Sequence, residues 1–285
     1  MKAGPFEVEP QKERSLVRMP EHFDYADMCD QSQRLASNYC IIFVLDGQVL
    51  GSGTLVTVNG IHGILTAQHV LRVPYSRKEK EFSFCSHNVI HRLDASASDF
   101  EHIILGDSAR NKFEHSGPDL SFLMITNPKL LSTLNAKKSF YPLVKDFDVH
   151  EYPDEKLRQM VWTASGSPKE FAQDLGIHKG EQLWKFSDFH MPIYFHSLKK
   201  RNGFDYFRFQ VHSGVEDFPS KFGGVSGGGI WLPSMQETKN GKIEYPPMLQ
   251  GVIFYESRPY KNDTRRLLIG HGPDSIYNCV AQALR

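Results

Sequence analysis

The 285-residue sequence lacks the features that mark several classes of protein. Positive and negative side chains balance at 33 each, and only short basic clusters occur, at Lys199–Arg201 and Arg265–Arg266. This balance argues against nucleic acid as the main ligand. No apolar run approaches the ~18 residues of a membrane span, and Met1–Met19 has no apolar core of signal-peptide length. We therefore expect a cytoplasmic protein that binds neither nucleic acid nor membrane.

Cysteine is scarce and widely spaced. The chain has four cysteines, Cys29, Cys40, Cys85 and Cys279. They form no CxxC pair, which fits neither a zinc cluster nor a disulfide-dense scaffold. We predict buried free thiols, with no metal and no cofactor. His87 and His91, close to Cys85, are the one metal alternative, because their spacing suits one helical face, but no Glu follows His87.

A long succession of short β runs, separated by turn residues, begins after the first 38 residues. Asp46-Gly47 and Asn59-Gly60 stand between apolar runs, which is a strong signal for a β-hairpin, and a third hairpin is predicted at Arg201-Asn202-Gly203. Many short strands with frequent turns favour a sandwich or a barrel. The predicted strands are Tyr39–Leu45, Val49–Val58, Ile61–Ala67, Glu81–Phe84, His102–Leu105, Leu120–Ile125, Met160–Ala164, Gln182–Phe186, Pro192–His196, Tyr206–His212, Gly229–Leu232, Leu249–Tyr255 and Leu267–Gly270.

Helices are predicted near both ends of the chain, at Tyr25–Ala36 and at Asp274–Leu284, the second with an N-cap at Asp274-Ser275. Phe147–Leu157 is charged, contains proline and has little periodicity, so we predict a connector between two halves. The predicted organisation is an N-terminal arm at 1–38, a first β unit at 39–150 and a second β unit at 151–285, on which the terminal helix packs.

The strongest signal for chemistry is Ser226, which is embedded in glycine within Gly223–Gly229 and followed directly by a strand. A nucleophilic hydroxyl on a tight turn lets an acyl carbonyl approach the backbone, where N–H groups can bind the oxyanion that forms. We expect these N–H groups to be those of Gly224 and Ser226. A flexible glycine loop is the alternative. A phosphate-binding loop is disfavoured because no Lys-Ser/Thr pair follows the glycines.

Two upstream segments supply the partners that such a serine needs. His69 follows the apolar strand at Ile61–Ala67, where packed residues on both sides can hold it at a strand end. Asp119 directly precedes the apolar run Leu120–Ile125, where a carboxylate can be buried against the imidazole and fix its tautomer. Taken alone, His69 would be a surface histidine and Asp119 a turn cap. Asp107 is the rival carboxylate, but it lacks the strand that follows Asp119.

Together these segments resemble the trypsin-like serine peptidases of the chymotrypsin fold. Thr66–His69 is similar to the histidine signature of that family, Asp119–Leu123 to its aspartate strand and Gly224–Gly228 to its G-x-S-G-G loop. The resemblance covers about Tyr39–Ile269. It implies an all-β fold of two packed six-stranded antiparallel β-barrels, with a short N-terminal arm and a C-terminal helix.

The resemblance also implies which residues act. The catalytic residues would be His69, Asp119 and Ser226. Leu249–Glu256 is similar to the strand that pairs with the substrate backbone, so Phe254, Tyr255 and Glu256 would line the specificity pocket. The opposite wall would be Ser220, Lys221, Phe222 and Gly223.

One position departs from the pattern of the secreted members of this family. They carry Asp immediately before the serine, to receive a newly cut N-terminus, whereas this chain has Val225. Activation through that ion pair is therefore unavailable. Without paired cysteines, the chain is similar to a stand-alone intracellular member of bacterial type.

The sequence therefore predicts a serine endopeptidase that acts on a dedicated intracellular protein or peptide substrate, with a regulatory protein partner as a further option. Two alternatives remain open: an inactive relative that serves as a binding module, and an esterase that uses the same triad. The α/β-hydrolase arrangement is disfavoured, because there the serine precedes both partners in the chain.

Overall fold

The computed structural model describes residues 24–76, 81–85, 93–107, 117–145, 147–178, 181–187, 189–212, 218–257 and 265–285. Within these residues the strands are β1 (Cys40–Leu45), β2 (Gln48–Val58), β3 (Ile61–Thr66), β4 (Glu81–Cys85), β5 (Leu93–Ser96), β6 (Phe100–Gly106), β7 (Leu120–Ile125), β8 (Tyr141–Pro142), β9 (Trp162–Gly166), β10 (Gln173–His178), β11 (Glu181–Lys185), β12 (Phe189–Arg201), β13 (Phe204–His212), β14 (Gly229–Pro233), β15 (Gln236–Glu237), β16 (Ile243–Glu244), β17 (Pro247–Glu256) and β18 (Arg265–His271). The α-helices are α1 (Tyr25–Ser37), α2 (Gln68–Ser76), α3 (Pro128–Asn135), α4 (Asp154–Leu157) and α5 (Cys279–Ala283).

Some of the sequence-based predictions fall outside the described residues. They are the first 23 residues of the N-terminal arm, the side chain of Cys85 and the metal alternative at His87 and His91.

All three predicted hairpin turns are confirmed. The turns between β1 and β2, between β2 and β3 and between β12 and β13 each place two residues between paired strand ends. Asp46, Asn59 and Asn202 have φ angles of 50°, 50° and 52°, and the glycine after each also has a positive φ. Positive φ at both central residues is the type I′ geometry, which matches the twist of the strands.

The first β unit is a curled sheet of eight strands, with the order β5-β4-β1-β2-β3-β7-β6 and with β8 paired to β2. Its two end strands, β5 and β6, are joined in the chain by a single 3-10 turn at Ala97–Asp99. The sheet therefore curls back on itself through the chain rather than through a ladder between β5 and β6. Alternating apolar side chains fill the curl: Ile41, Phe43, Leu55, Ile64, Phe82, Phe84, Phe100 and Leu123.

The second β unit is a closed barrel of six strands in the order β12-β13-β18-β17-β14-β9, with every pair antiparallel. Its interior is also apolar and contains the aromatic rings of Trp162, Phe195, Phe207, Phe209 and Phe222, together with Val225. The all-β fold class with two β units is confirmed. The predicted connector lies between the units and contains a 3-10 turn at Val149–Glu151 and α4.

The helices near the two chain ends are confirmed, and both pack on the β units. Ala36 of α1 is fully buried in one cluster with Ile276 and Val280 of the C-terminal helical segment, which consists of a π-helical turn at Asp274–Asn278 followed by α5. The predicted N-cap at Asp274-Ser275 is wrong. Pro273 occupies the cap position without a side-chain hydrogen bond, while the Ser275 hydroxyl donates to Asp205 Oδ1 at 2.6 Å.

Other elements differ from the expectations. Helix α3 and strand β10 extend the described structure beyond the predicted elements, whereas β11 matches the strand predicted at Gln182–Phe186 to within one residue at each end. Strand β12 is much longer than predicted. Among the cysteines, Cys40 is buried as predicted, and burial raises the pKa of its thiol to about 11. Cys29 and Cys279 are only half-buried.

Within the described residues no helix is both long and apolar enough to cross a membrane.

Candidate active site

His69 and Asp119 are in contact beside the end of β3 and the start of β7 in the first β unit. Strand β3 ends at Thr66 and α2 begins at Gln68, so His69 stands at the start of a helix, while Asp119 directly precedes β7. The Asp119 carboxylate accepts the main-chain N–H of His69 on Oδ1 at 2.9 Å, and its Oδ2 lies 2.6 Å from His69 Nδ1. The side chain of Asp119 is only 4% exposed, against 36% for His69. An ionised carboxylate only accepts hydrogen bonds, so this contact assigns the proton to Nδ1 and leaves Nε2 as an acceptor.

A second histidine, which sequence reasoning missed, accepts a hydrogen bond from the main chain of Asp119. The main-chain N–H of Asp119 donates to His271 Nε2 at 3.0 Å. His271 is fully buried at the end of β18, and burial lowers the pKa of its imidazole to about 4. A neutral imidazole that accepts on Nε2 carries its proton on Nδ1. The sequence carries no local signal for this contact, because the two residues lie in different β units.

A polar network anchors the residue before His69. Gln68 Oε1 accepts a hydrogen bond from the Ser121 hydroxyl on β7, and it lies 3.1 Å from His102 Nε2. Burial lowers the pKa of His102 as well. The start of α2 is therefore bonded to the strand that follows Asp119, which fixes the two partners of the short carboxylate–imidazole contact relative to each other.

The serine loop is held by its own backbone. The N–H groups of Val225, Gly227 and Gly228 donate to carbonyl oxygens at 2.7–3.0 Å. Within the described residues, the N–H groups of Gly224 and Ser226 donate no hydrogen bond. The loop therefore leaves unused the two amides that the sequence singled out.

The direction of these two amides follows from their peptide planes. The carbonyl of Gly223 accepts the Lys169 N–H at 2.7 Å, and the carbonyl of Val225 accepts the Gly228 N–H at 2.9 Å. In a planar trans peptide the N–H points away from the carbonyl of the same plane. The N–H groups of Gly224 and Ser226 therefore point away from the Lys169 and Gly228 amides that bind those carbonyls.

Ser52 of β2 fastens the loop to the first β unit, and sequence reasoning did not single it out. Its N–H donates to the Ser226 carbonyl at 2.7 Å, and its hydroxyl donates to the Gly224 carbonyl at 2.9 Å. The same hydroxyl accepts the Ser167 N–H at 2.9 Å. Ser52 is fully buried, so all of these groups depend on one another for hydrogen bonding.

Two glycines make this close approach possible. Gly224 and Gly227 have φ angles of 99° and 91°, in a region that side-chain-bearing residues rarely adopt. A Cβ at Gly224 would collide with the Ser167 carbonyl, and one at Gly227 with the Ser52 carbonyl and the Thr66 hydroxyl. These two glycines therefore serve close backbone packing rather than flexibility, within the second β unit at Gly224 and between the two units at Gly227.

These segments open onto one cavity of about 350 Å³. It is lined by His69, Arg72, Val73, Asp119, Ser226, Phe254, Tyr255 and Glu256. The three predicted catalytic residues and three of the predicted substrate-binding residues thus share one space, and α2 adds Arg72 and Val73, which sequence reasoning missed. No hydrogen bond joins the Ser226 hydroxyl to the His69 ring in the described structure. Such bonds are often long in enzymes without substrate and tighten in the complex.

The opposite predicted wall lies elsewhere. Ser220, Lys221, Phe222 and Gly223 do not line this cavity. The Ser220 hydroxyl donates to Glu170 Oε2 at 2.7 Å on the surface. Phe222 is only 2% exposed and packs in the core of the second β unit, while Lys221 and Gly223 are exposed.

Within the described residues, one cluster has the donors of a metal site. Single ligand atoms of His150, Asp205 and Asp274 all lie within 4.8 Å of one another. Asp274 already pairs with the ammonium groups of Lys145 at 2.9 Å and Lys200 at 2.6 Å. These ammonium groups already neutralise much of the negative charge that would bind a metal ion. The main-chain N–H groups of Asp274 and Ser275 donate to the Asp205 carboxylate, so the cluster stabilises the start of the C-terminal helical segment.

No family model matches the chain, and no characterised protein matches it by sequence. Several solved structures are similar. Neuropsin, a serine protease from mouse brain, is 12% identical over 87% of this chain and 95% of its own, with a TM-score of 0.49. A serine endoprotease from Yersinia pestis is 14% identical over 90% and 66%, with a TM-score of 0.47. The protease Anisep from Arthrobacter nicotinovorans is 16% identical over 85% and 94%, with a TM-score of 0.41. At these identities and TM-scores the likeness carries no conclusion about activity.

Proposed function

We propose that this chain is a serine endopeptidase with Ser226 as nucleophile, His69 as general base and Asp119 as the carboxylate that orients the base. The observation that carries this proposal is the double contact of Asp119 with His69, at 2.9 Å to the main-chain N–H and 2.6 Å to Nδ1, beside the cavity that Ser226 lines. His69 and Ser226 line the same cavity, which supports a general base that acts on a serine hydroxyl, as nucleophilic catalysis requires.

In the proposed mechanism His69 Nε2 takes the proton of the Ser226 hydroxyl as its oxygen attacks the carbonyl carbon of a peptide bond. The buried Asp119 carboxylate stabilises the imidazolium that forms. The imidazolium then gives its proton to the leaving amine, and the acyl group stays on Ser226. Water, deprotonated by His69, hydrolyses this ester and regenerates the enzyme.

The oxyanion is proposed to lie against the N–H groups of Gly224 and Ser226. Both amides lack an acceptor within the described residues, and both belong to peptides whose carbonyls are bonded elsewhere. Preorganised donors of this kind need no rearrangement when the charge develops, which is why they contribute strongly to catalysis.

Substrate is proposed to be a protein or peptide that lies along Phe254, Tyr255 and Glu256, next to Ser226. Val225 in place of an acidic residue supports activity without N-terminal cleavage. A cytoplasmic location and a regulatory protein partner stay predictions of the sequence.

Cleavage of a peptide library tests the proposal without knowledge of the natural substrate. The library is incubated with the wild type and with Ser226→Ala, and new termini are identified by mass spectrometry. New termini with the wild type alone support an endopeptidase. Turnover of chromogenic esters without any peptide cleavage would instead indicate an esterase that uses the same residues.

A further inference from the structure

Glu256, the last residue of β17, links the two segments that the sequence predicted as opposite walls of a specificity pocket. Its Oε2 accepts the main-chain N–H of Phe222 at 3.1 Å. Its Oε1 accepts a hydrogen bond from the guanidinium of Arg266 on β18. The side chains of Glu256 and Arg266 are 19% and 15% exposed. Both carboxylate oxygens are therefore engaged in a largely buried setting.

The strand register explains why these groups meet. Glu256 stands opposite Leu268 in the β17–β18 ladder, and Arg266 lies two residues before Leu268, on the same face of β18. Leu268 and Phe222 both belong to the core of the second β unit. The pair therefore sits at the rim of the barrel, and Glu256 also lines the cavity that contains Ser226 and His69.

The Glu256 carboxylate is bound by a guanidinium and a main-chain N–H, so the space that it fills can bind a carboxylate. Both donors form charge-assisted hydrogen bonds, and Arg is well suited to carboxylates because its planar fork fits their two oxygens. Removal of the Glu256 carboxylate would leave a charged donor and an amide donor without that acceptor, close to the nucleophile.

We infer that Arg266 and the Phe222 N–H form a carboxylate-binding subsite, and that Glu256 is its built-in occupant. The ligand class is an acidic side chain of the substrate, next to the bond that is cut. The inference rests on the proposed function, since it places the subsite beside Ser226. In the wild type the Glu256 charge repels an acidic side chain, so neutral side chains are preferred; without Glu256 the preference reverses.

The test compares two matched peptide amides that differ only in Glu or Gln before the scissile bond. Assays use the wild type, Glu256→Ala, the double variant Glu256→Ala/Arg266→Gln, and Glu244→Ala as a control at an exposed glutamate of the same β unit. Glu256→Ala is expected to raise the Glu/Gln ratio of kcat/KM roughly ten- to hundredfold, the ratio that a hydrogen bond to a charged group confers. The double variant is expected to lose this gain, and Glu244→Ala to match the wild type.

A binding measurement separates this inference from the proposed function. N-acetylglutamate α-amide and its glutamine counterpart are titrated into Glu256→Ala and into the double variant by calorimetry. Selective binding of the glutamate compound to Glu256→Ala alone supports the subsite, even if no variant hydrolyses peptides and the proposed function fails. Equal binding of the two compounds would overturn the subsite and make Glu256–Arg266 an ion pair of the barrel rim, even where fluorophosphonate still labels Ser226.

A third variant covers the case in which Glu256→Ala does not fold, as judged by circular dichroism. Glu256→Gln keeps the volume and an acceptor for one of the two donors, but it removes the negative charge and places an NH2 group in the position of the second oxygen. Its Glu/Gln ratio is expected to rise, by less than for Glu256→Ala, because the side chain still fills the subsite. An unchanged ratio in folded Glu256→Gln would contradict the repulsion on which the inference depends.

Discussion

The main-chain N–H of Asp119 donates to His271 Nε2 at 3.0 Å, across the boundary between the two β units. The His271 ring lies 4.7 Å from that of Phe254 and 5.3 Å from that of Tyr206, measured between centroids. Its Nδ1 has no hydrogen-bond partner within the described residues. A fully buried histidine with one unused nitrogen costs stability, and the contact with Asp119 is the benefit that it offers.

His271 is therefore predicted to be a positioning residue for Asp119. His271→Phe is expected to lower kcat about ten- to hundredfold with little change in KM, because displacement of catalytic groups acts on the chemical step. His271→Gln, which restores an acceptor, should recover part of the loss. Steady-state kinetics on a cleaved peptide measures both, and equal losses in the two folded variants would reduce His271 to packing.

Ser52 is predicted to position the oxyanion amides. Ser52→Ala orphans the Gly224 carbonyl and the Ser167 N–H, each at a cost of roughly 1–3 kcal/mol, and it is expected to lower kcat more than it raises KM. Ser83→Ala is the control, because that buried hydroxyl bonds to Asp94 within the first sheet. Urea unfolding and kinetics are measured for both. If Ser52→Ala lowers the free energy of unfolding but leaves kcat unchanged, Ser52 has a structural role only.

The loop glycine Gly224 is predicted to be irreplaceable for a steric reason, and not only for its φ angle. Gly203 has a φ of 80°, with open space where a Cβ would stand, while a Cβ at Gly224 would meet the Ser167 carbonyl. Gly203→Ala should cost roughly 1 kcal/mol through its backbone conformation alone and leave activity intact. Gly224→Ala should abolish peptide cleavage, and an active Gly224→Ala would refute the assigned loop geometry.

Acid is predicted to destabilise the fold through His190 and His271, two histidines with buried ring nitrogens. Burial lowers the pKa of His190 and of His271 from 6.5 to about 4. Between these values the unfolded chain binds more protons than the folded one. The free energy of unfolding therefore falls as the pH falls, by at most ~1.4 kcal/mol per pH unit for each histidine.

Chemical denaturation between about pH 6.5 and pH 5 measures this slope, above the range where most carboxylates titrate. His190→Leu removes one of the two groups and should flatten the slope markedly. An identical slope in the variant would show that His190 is protonated alike in the folded and unfolded chains.

Local patterns predicted much of this fold. The Asp-Gly and Asn-Gly dipeptides gave the hairpins because both residues accept positive φ, and alternating apolar residues gave most strands. Helix α3 was missed, although Asn127 caps it with hydrogen bonds to Lys129 and Leu130. The closing of the first sheet through a 3-10 turn between β5 and β6 was also beyond reach, because it depends on which distant strands pair.

The candidate site shows the same difference between residues in local motifs and residues that depend on long-range contacts. His69, Asp119 and Ser226 were predicted because each sits in a local motif, and all three line one cavity. Ser52, Arg72, His271 and Arg266 were not singled out, because their roles depend on contacts between segments that are far apart in sequence. Glu256 was predicted to line substrate, but its pairing with Arg266 follows only from the ladder between β17 and β18.

Covalent labelling by a fluorophosphonate probe tests the central claim most directly, because it reports an activated serine without any knowledge of substrate. The wild type is expected to be labelled at Ser226, with labelling absent in Ser226→Ala and His69→Ala and strongly reduced in Asp119→Asn, whose neutral amide cannot stabilise the imidazolium. A folded wild type that takes up no label, or labelling that survives His69→Ala, would contradict the account.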